Sequence, residues 1–271
     1  MILLNADKIT KSYTELALLE NISLSIHEGD KIGLIGLNGA GKSTLLKIIA
    51  GKEETEGGSI TKTNGVRIGY LPQNPIFQKE ATVLEQVLQD VSENERESLE
   101  YECKSILTKL GITDFDKPVQ HLSGGQKKRV ALAGVLVSPV ELLILDEPTN
   151  HLDNEMADWL ERYLVKYSGA ILIVTHDRYF LDRVTNKIAE LANQMIYTYN
   201  GNYTYYLDTK VTRDEMTLAT ERKRSTLYRS ELEWIKRGVR ARGTKSKSRL
   251  ERFDELKNSL LKTNTSKLEL Q

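Results

Sequence analysis

A glycine-rich segment near the amino terminus has the residue types needed to hold a polyphosphate. Residues 36–43 read Gly-Leu-Asn-Gly-Ala-Gly-Lys-Ser and match the pattern Gly-x4-Gly-Lys-Ser. Such glycines let backbone N–H groups turn inward around phosphate oxygens, and the helix predicted next adds its positive dipole end. Lys42 would then reach the β and γ phosphates of a nucleotide, and the Ser43 hydroxyl would bind Mg²⁺. The alternative is a strand-to-helix turn without a ligand, which the flanking strand and helix patterns disfavour.

Two adjacent carboxylates follow an apolar run farther along the chain. Asp146 and Glu147 come directly after Leu-Leu-Ile-Leu at 142–145, a run that suits a strand buried on both faces. Open α/β sheets bind ligands at the carboxyl ends of such strands. Asp146 would hold Mg²⁺, directly or through water, and Glu147 would polarise an attacking water as a general base. A solvated acidic turn is the competing interpretation, and the phosphate loop weakens it.

A third segment predicts a second anion-binding helix start. Residues 122–126 read Leu-Ser-Gly-Gly-Gln. Ser123 is a favoured N-cap residue, and the two glycines after it leave the backbone amides bare. The helix is predicted to run through Val130 and Leu136. Helix amino termini bind anions, although an ordinary capped helix would have a similar pattern.

Three further residues are candidates because of where they fall. Gln73 follows a predicted strand, and its amide could touch Mg²⁺ or the attacking water. His176 comes just after the apolar run 171–174, at the same predicted sheet edge as Asp146. From there it could hydrogen-bond the γ phosphate and orient the base or the water. Tyr13 could stack on adenine, although an aromatic residue in an early loop more often packs on the surface.

Residues 1–207 are predicted to form one α/β domain that holds all these motifs. Short buried strands are expected at 32–35, 142–145 and 171–174 because these runs are continuously apolar. The remaining predictions are a helix at 43–50 followed by Gly51 as its cap, helical structure at 81–110 within a helical subdomain of about 78–140, and terminal strands at 188–206 that turn at 200–202.

Residues 208–271 differ in character and predict a basic helical linker. Two series of apolar residues recur at steps of three and four, as in a coiled-coil seam. They are Tyr228, Leu232, Ile235 and Val239, and then Leu250, Phe253, Leu256 and Leu260. Residues 236–252 between them contain eight Lys and Arg and one Glu. The pattern favours two antiparallel helices joined by a basic tip, with one long solvated helix or a disordered tail as alternatives.

Charge is divided unevenly between these two parts. The formal net charge of the 271 residues is zero, yet residues 208–271 hold seventeen Lys and Arg against ten Asp and Glu. An acidic body with a basic tail indicates a polyanion as a partner of the tail.

Cysteine usage and hydropathy indicate a cytoplasmic protein. The single cysteine, Cys103, excludes an internal disulfide and fits a reducing cytosol. The apolar run at the start is too short for a signal peptide. The longest apolar stretch, 131–145, contains Glu141 and is shorter than the ~20 residues that span a bilayer. We therefore expect no membrane domain in this chain.

Taken together and in this order, these motifs resemble the nucleotide-binding cassette of the ABC superfamily over residues 1 to about 207. The segments 147–153 (Glu-Pro-Thr-Asn-His-Leu-Asp), 175–181 and 201–207 resemble its ABC-F branch, whose members carry two cassettes on one chain without membrane domains. Residues 231–242 resemble the inter-cassette linker of the Uup-like subgroup.

The resemblance implies a role for each matching residue. Glu147 would be the base and His176 the switch, while Mg²⁺ would be served by Ser43, Gln73 and Asp146. ATP phosphates would be held by Asn38, Gly39, Gly41, Lys42, Ser43 and Thr44. Ser123 and Gly125 would contact the γ phosphate bound to an opposing cassette, with Asp153 near the seam. The partner is therefore expected to be a second cassette or a head-to-tail copy of this chain.

Two departures from the family pattern qualify these expectations. The chain stops soon after the linker, which suggests a first cassette plus linker with the second cassette outside it. Only 48 residues, 74–121, separate Gln73 from the Leu-Ser-Gly-Gly-Gln segment, so we predict no inserted arm there.

Four functions are weighed on these grounds. The leading one is an Mg-ATP hydrolase of ABC-F type that acts on the ribosome, with tRNA or rRNA against the basic linker, because phosphate neutralisation dominates nucleic-acid affinity. A DNA-associated Uup-like ATPase would show the same basic tip. The motor subunit of a membrane transporter is disfavoured by the linker, and a nucleotide-binding module without turnover is disfavoured by Glu147.

Overall fold

The computed structural model describes residues 1–13, 17–78, 80–89 and 91–236. Tertiary contacts divide the chain into two units, Met1–Tyr206 and Leu207–Gln271. The strands are β1 Ile2–Ser12, β2 Ala17–His27, β3 Lys31–Gly36, β4 Gly57–Lys62, β5 Ile68–Leu71, β6 Leu142–Asp146, β7 Ala170–Val174, β8 Lys187–Ala192 and β9 Met195–Tyr199. The helices are α1 Lys42–Ile49, α2 Val83–Val87, α3 Glu93–Lys109, α4 Gly124–Val137, α5 Asn154–Lys166, α6 Arg178–Val184 and α7 Tyr203–Lys236, with a short 3-10 helix at Val119–His121.

The first unit contains two sheets. Six strands lie in the order β5-β6-β7-β3-β8-β9, and all pairs are parallel except the last, β8 with β9. The other sheet is antiparallel and has the order β2-β1-β4. The larger sheet is therefore mixed, and three helices, α2 to α4, lie in the chain between β5 and β6. This confirms the predicted fold class, an α/β cassette with a mixed sheet and a helical subdomain.

The faces of the large sheet are buried in two different apolar clusters. Leu142 and Ile144 of β6 pack with α1 and the small sheet, whereas Leu143 and Leu145 pack with the helices from α2 to α6. Side chains alternate between faces along a strand. A strand covered on both faces therefore needs a continuous apolar run, and every residue of β6 and β7 is buried.

The glycine-rich segment connects β3 to α1. Gly41 has φ of 98°, a conformation that costs a residue with a Cβ atom about 1–2 kcal/mol. A Cβ atom there would also lie 3.0 Å from side-chain atoms of Leu18 and Leu19. The helix begins at Lys42, one residue before the predicted start, and Gly51 follows its end with φ of 66°.

The helical structure predicted at 81–110 consists of two helices. Thr82 forms a capping box with Glu85 at the start of α2, which ends at Val87. Ser92 is then the N-cap residue of α3. Residues 92–98 contain no apolar residue, and the polar residues around the break did not single out the two caps, Thr82 and Ser92, at which the helices start.

The hairpin turn predicted at 200–202 was also misplaced. Strands β8 and β9 are joined at Asn193 and Gln194, which have φ of 51° and 60°. Positive φ at both central residues matches the twist of a two-residue hairpin. Asn202 instead starts a helix, because its side-chain oxygen accepts a hydrogen bond from the Tyr205 N–H at 3.1 Å. Residues 203–206 are thus helical, not a strand as predicted.

Only the first part of the predicted linker can be compared with the structure. Helix α7 runs without a break from Tyr203 to Lys236 and includes three positions of the first apolar series. Val239, the second series and residues 237–252 of the basic stretch lie outside the described residues. The hairpin and its basic tip therefore remain predictions.

A buried carboxylate fastens the first turn of α7 to the sheet. Glu190 of β8 is 3% exposed. It accepts hydrogen bonds from the Tyr199 hydroxyl at 3.1 Å and from the Tyr206 hydroxyl at 3.0 Å. Glu190 pairs with Ile35 of β3, the strand that leads into the glycine-rich segment. The start of α7 is thus bonded to β8, which is the neighbour of β3 in the sheet.

The variant Tyr206→Phe tests this contact. It removes one donor from a buried carboxylate, so the free energy of unfolding should fall by about 1–3 kcal/mol, measured by urea denaturation. The matched control is Tyr205→Phe on the same turn, because the Tyr205 side chain is 51% exposed. An equal loss for both variants would show that the Glu190 contact does not stabilise the fold.

Candidate nucleotide-binding site

A cleft of about 290 Å³ lies at the carboxyl edge of the large sheet. The glycine-rich segment, residues that end or follow β6 and β7, and Gln73, two residues after β5, meet there. Its lining consists of Asn38, Gly39, Gly41, Lys42, Ser43, Gln73, Asp146, Glu147, Val174 and His176. Nine of these ten residues are sequence-predicted site residues, and the fold brings them together from four separate segments.

The Lys42 ammonium group lies folded over its own loop. It donates hydrogen bonds to the carbonyl oxygens of Gly36 at 2.8 Å and Leu37 at 2.9 Å. Burial lowers the pKa of Lys42, and the charges of Glu147 and Asp146 partly oppose this effect. Within the described residues Lys42 forms no ion pair, so its positive charge remains available to an anion in the cleft.

Asp146, the last residue of β6, lies next to the start of α1. Its side chain is almost fully buried, with 3% exposed, and it accepts a hydrogen bond from the Ser43 hydroxyl. Burial raises the pKa of Asp146, although Ser43 and the nearby charges of Lys42 and Lys47 oppose the shift. A metal ion or another cation nearby would compensate for the loss of water around this carboxylate.

Glu147 has a strained backbone and a paired side chain. Its φ of 54° lies in a region that residues other than glycine rarely occupy. Its side chain is 7% exposed, and Oε1 lies 3.3 Å from Nε2 of His176, whose side chain is 69% exposed. Burial raises the pKa of Glu147, while the charge of His176 and a hydrogen bond from its backbone N–H lower it.

The residues of the cleft fit Mg²⁺ that arrives with a nucleotide. Asp146 Oδ2 and Glu147 Oε2 are buried and have no hydrogen-bond partner among the described residues. In the same residues no group of three His, Cys, Asp or Glu could hold a metal by itself. Mg²⁺ is usually held by one or two carboxylates together with substrate phosphates and waters. Ser43, Asp146 and Gln73 offer such a partial set.

Tyr13 and Thr44 lie at the rim of this region. The Tyr13 hydroxyl bonds the Glu53 carboxylate and the Thr44 side chain, and the Lys11 ammonium lies 5.5 Å from the centre of the Tyr13 ring. Tyr13 is 61% exposed. Its ring is therefore held near the start of α1 with a face or edge open to a ligand.

Ser123 and Gly125 do not line the cleft. The Ser123 hydroxyl accepts from the backbone N–H of Gln126 at 3.2 Å, and the Gln126 side chain accepts from the Ser123 N–H at 3.0 Å. This capping box leaves Ser123 and Gly124 exposed at the amino end of α4. The cleft and the amino end of α4 are thus separate surfaces of one cassette.

Sequence reasoning missed contacts both at the start of α4 and beside the cleft. A Cβ atom at Gly125 would lie 3.6 Å from Cβ of His151, and the Lys128 ammonium is 3.0 Å from Nε2 of His151. Tyr70 of β5 has a buried hydroxyl close to Asp146. The sequence held only a weak signal for Tyr70, namely its place three residues before Gln73.

The chain matches profiles of one protein family over most of its length. Residues 19–150 and 189–270 match two profiles described as ABC transporter. The chain is 45% identical to "Uncharacterized ABC transporter ATP-binding protein YfmR" of Bacillus subtilis, over 95% of this chain and 47% of that protein. It is 39% identical to "Energy-dependent translational throttle protein EttA" of Haemophilus influenzae, over 88% of this chain and 50% of that protein.

Solved structures agree with this relationship. A structure described as the ATP-binding subunit of an ABC transporter superposes with a TM-score of 0.65 and 27% identity, covering 73% of this chain and 90% of that one. A dimeric ATP-binding cassette in a post-hydrolysis state with ADP and Pi superposes with a TM-score of 0.64 and 25% identity, covering 73% and 98%. The fold and the cleft therefore define a nucleotide-binding cassette. The chain belongs to the ATP-binding cassette (ABC) ATPase family.

The chain is shorter than its relatives, and its described helices are not of a membrane-spanning kind. It spans about half the length of the curated relatives it matches, 47% of one and 50% of the other. Among the described residues no helix has the length and apolar character needed to cross a membrane.

The raised pKa of Glu147 predicts how stability depends on pH. Because the folded pKa lies above the unfolded one, this group stabilises the fold below the unfolded pKa and loses that contribution as pH rises through the folded pKa. Glu147→Gln should therefore raise the melting temperature at pH 8, and the gain should shrink as pH falls towards the ordinary carboxyl range. Calorimetry without nucleotide at several pH values measures this difference.

Glu141→Gln is the matched control with the opposite sign. A hydrogen bond from the Arg67 N–H, 2.6 Å long, lowers the pKa of Glu141. This contribution to stability is present above the unfolded pKa and lost as pH falls through the folded one. The control should lower the melting temperature at pH 8 and approach the wild type in acid. Identical pH profiles for both variants would contradict the assignment.

Proposed function

We propose that this chain is a cassette that binds and hydrolyses Mg-ATP. The supporting observation is the buried Glu147 carboxylate, 3.3 Å from His176, in the same cleft as Lys42, Ser43 and Asp146. A general base must be ionisable, close to the reacting water and close to the phosphate. Glu147 has these properties if the phosphates lie on the residue 36–43 segment.

In this proposal each residue of the cleft has one role. Lys42 and the backbone amides of residues 39–44 hold the β and γ phosphates, and Tyr13 supports the adenine. Glu147 accepts the proton of the attacking water, since burial makes its carboxylate a stronger base. His176 donates to the γ phosphate and orients Glu147. Ser43, Asp146 and Gln73 would hold Mg²⁺, which neutralises charge on the phosphates when bound.

The site is completed by an opposing cassette. Ser123 and Gly125 lie outside the cleft that contains Lys42, at the exposed start of α4. We infer that they contact a γ phosphate bound elsewhere, on a second cassette or on another copy of this chain. A related cassette is described as dimeric after hydrolysis.

We further propose an ABC-F-type role in translation, in the cytoplasm. Two arguments support it: the likeness to a protein named as a translational throttle, and the basic composition of residues 236–252, which suits tRNA or rRNA phosphates. The Uup-like linker resemblance belongs to the same proposal. Binding to DNA is the competing outcome, since a basic segment alone does not distinguish the two nucleic acids.

Glu147→Gln should lower the rate of ATP hydrolysis by about 10²–10⁴-fold, the usual contribution of a general base. Binding of ATP should persist because Lys42 and the phosphate-binding segment are intact. Phosphate release and nucleotide binding would be measured on the same samples. The control is Glu141→Gln, which lies at the opposite end of β6 and should keep wild-type turnover. Equal rates for wild type and Glu147→Gln would remove Glu147 as the base.

The isolated chain should hydrolyse ATP with a specific rate that rises with protein concentration. One cassette supplies half of each composite site, so turnover requires head-to-tail pairing of two copies. Rates per molecule would be measured over at least a hundredfold range of concentration. A rate per molecule that stays constant would contradict a composite site.

The translation role is tested with the protein that carries this chain, in its full native length. With Glu147→Gln it should comigrate with ribosomes in ATP and much less in ADP. Without hydrolysis, the two cassettes would stay paired around ATP and the protein would stay bound. Binding to tRNA, rRNA and branched DNA at several salt concentrations is the companion measurement. Absence of ATP-dependent comigration, or tighter binding to DNA, would refute the ribosomal role.

A further inference from the structure

We propose that Tyr70 is a positioning residue for the magnesium ligand Asp146. In this inference, which rests on the proposed function, the Tyr70 hydroxyl and Asp146 Oδ2 share a water molecule. That water orients the carboxylate towards the Mg²⁺ of the nucleotide.

The register of the sheet places the two side chains on one face. Tyr70 of β5 is paired with Ile144 of β6, and paired residues project to the same side. Asp146 lies two residues after Ile144, so it also projects to this side, one pleat closer to the carboxyl edge. The apolar cluster confirms the face, since Ile144 and Tyr70 both pack with α1.

Both polar atoms are buried without a partner. Four side-chain atoms in the described residues are in this condition, and three belong to Tyr70, Asp146 and Glu147 at the carboxyl edge. A buried polar atom is nearly always satisfied by protein, water or ligand. Phenylalanine would fill the same volume at position 70 without a hydroxyl to satisfy. The hydroxyl therefore indicates a polar partner that the protein itself does not provide.

The two groups are complementary as donor and acceptor. Burial, followed by the charges of Asp146 and Glu53, raises the pKa of Tyr70 to about 12. The hydroxyl thus keeps its proton at neutral pH and can donate. Asp146 accepts a hydrogen bond from Ser43, and its oxygen without a partner is Oδ2. No direct bond joins Tyr70 to Asp146 among the described contacts, so the proposed link between them is a bridging water.

Loss of an orienting contact of this kind should weaken the binding of Mg²⁺ and leave the binding of metal-free nucleotide unchanged. Groups that hydrogen-bond a metal ligand fix its direction, and their loss typically weakens metal affinity by 10–100-fold. The phosphate-binding segment would be unaffected by the loss of the Tyr70 hydroxyl. Tyr70→Phe should therefore change the Mg²⁺ dependence of nucleotide binding and leave metal-free binding as it was.

The experiment measures binding of a fluorescent ADP analogue to the full 271-residue chain, in EDTA and across a titration of MgCl₂. Tyr70→Phe should bind the analogue like wild type in EDTA. It should need about tenfold more Mg²⁺ to reach half of the metal-dependent gain. Both readouts are binding measurements, so they are independent of turnover.

Tyr163→Phe is the matched control. Its hydroxyl is also partly buried, but donates to the Leu136 carbonyl oxygen at 3.0 Å, on the other face of the sheet. This variant should lose thermal stability and keep the wild-type Mg²⁺ titration. If Tyr70→Phe instead becomes more stable than wild type and its Mg²⁺ titration is unchanged, the hydroxyl is only an unsatisfied group and the inference is wrong.

The outcome also separates this inference from the proposed function. A wild-type chain that shows the metal-dependent gain, with Tyr70→Phe shifted, supports the role of Tyr70 even if hydrolysis is absent. A wild-type chain that binds no nucleotide in either condition overturns both.

Discussion

The structure depends on the burial of two carboxylates at the end of β6. Asp146 and the side chain of Glu147 are almost removed from water, and charged groups in such positions are costly unless partners compensate. The partners that the protein supplies are few: the Ser43 hydroxyl, the charge of Lys42 and the contact with His176. The remaining oxygen atoms have no partner among the described residues. This incomplete compensation favours a cation in the cleft.

The arrangement explains why the sheet has its particular layers. For the carboxylates to be buried, β6 must lie in the interior of the sheet with both faces covered, by α1 on one side and the helices α2 to α6 on the other. The phosphate-binding segment must then emerge from β3, two strands away across β7. Parallel strands place all their carboxyl ends at one edge, so the same geometry that buries the acids brings Lys42 and His176 to them.

A second consequence of the fold is that the cleft and the amino end of α4 are separate surfaces of the cassette. The cleft contains the phosphate segment and the acids, whereas Ser123 and Gly125 lie on an exposed helix start outside it. His151 lies against Gly125 and Lys128, four residues after Glu147. The turn that follows Glu147 is therefore in contact with the first turns of α4. Glu190 of β8, which pairs with Ile35 of β3, forms a comparable connection from the large sheet to the first turn of α7.

Local sequence was enough to locate the glycine-rich turn between β3 and α1, the strand that leads to Asp146 and Glu147, and the capped start of α4. In each case the information is a short pattern whose physical meaning does not depend on distant residues: glycines for φ, continuous apolar runs for burial, Ser before glycines for a cap. The break between α2 and α3 was not predicted, and the hairpin turn was placed at 200–202 instead of at Asn193 and Gln194, because several polar residues nearby could serve as a cap or a turn equally well. The order and register of the strands decided which residues of the site lie close together. The proximity of Tyr70 to Asp146, the 3.3 Å contact of His176 with Glu147, and the separation of Ser123 from the cleft all depend on which strands are neighbours. A linear pattern does not contain that pairing, because packing of the whole sheet selects it.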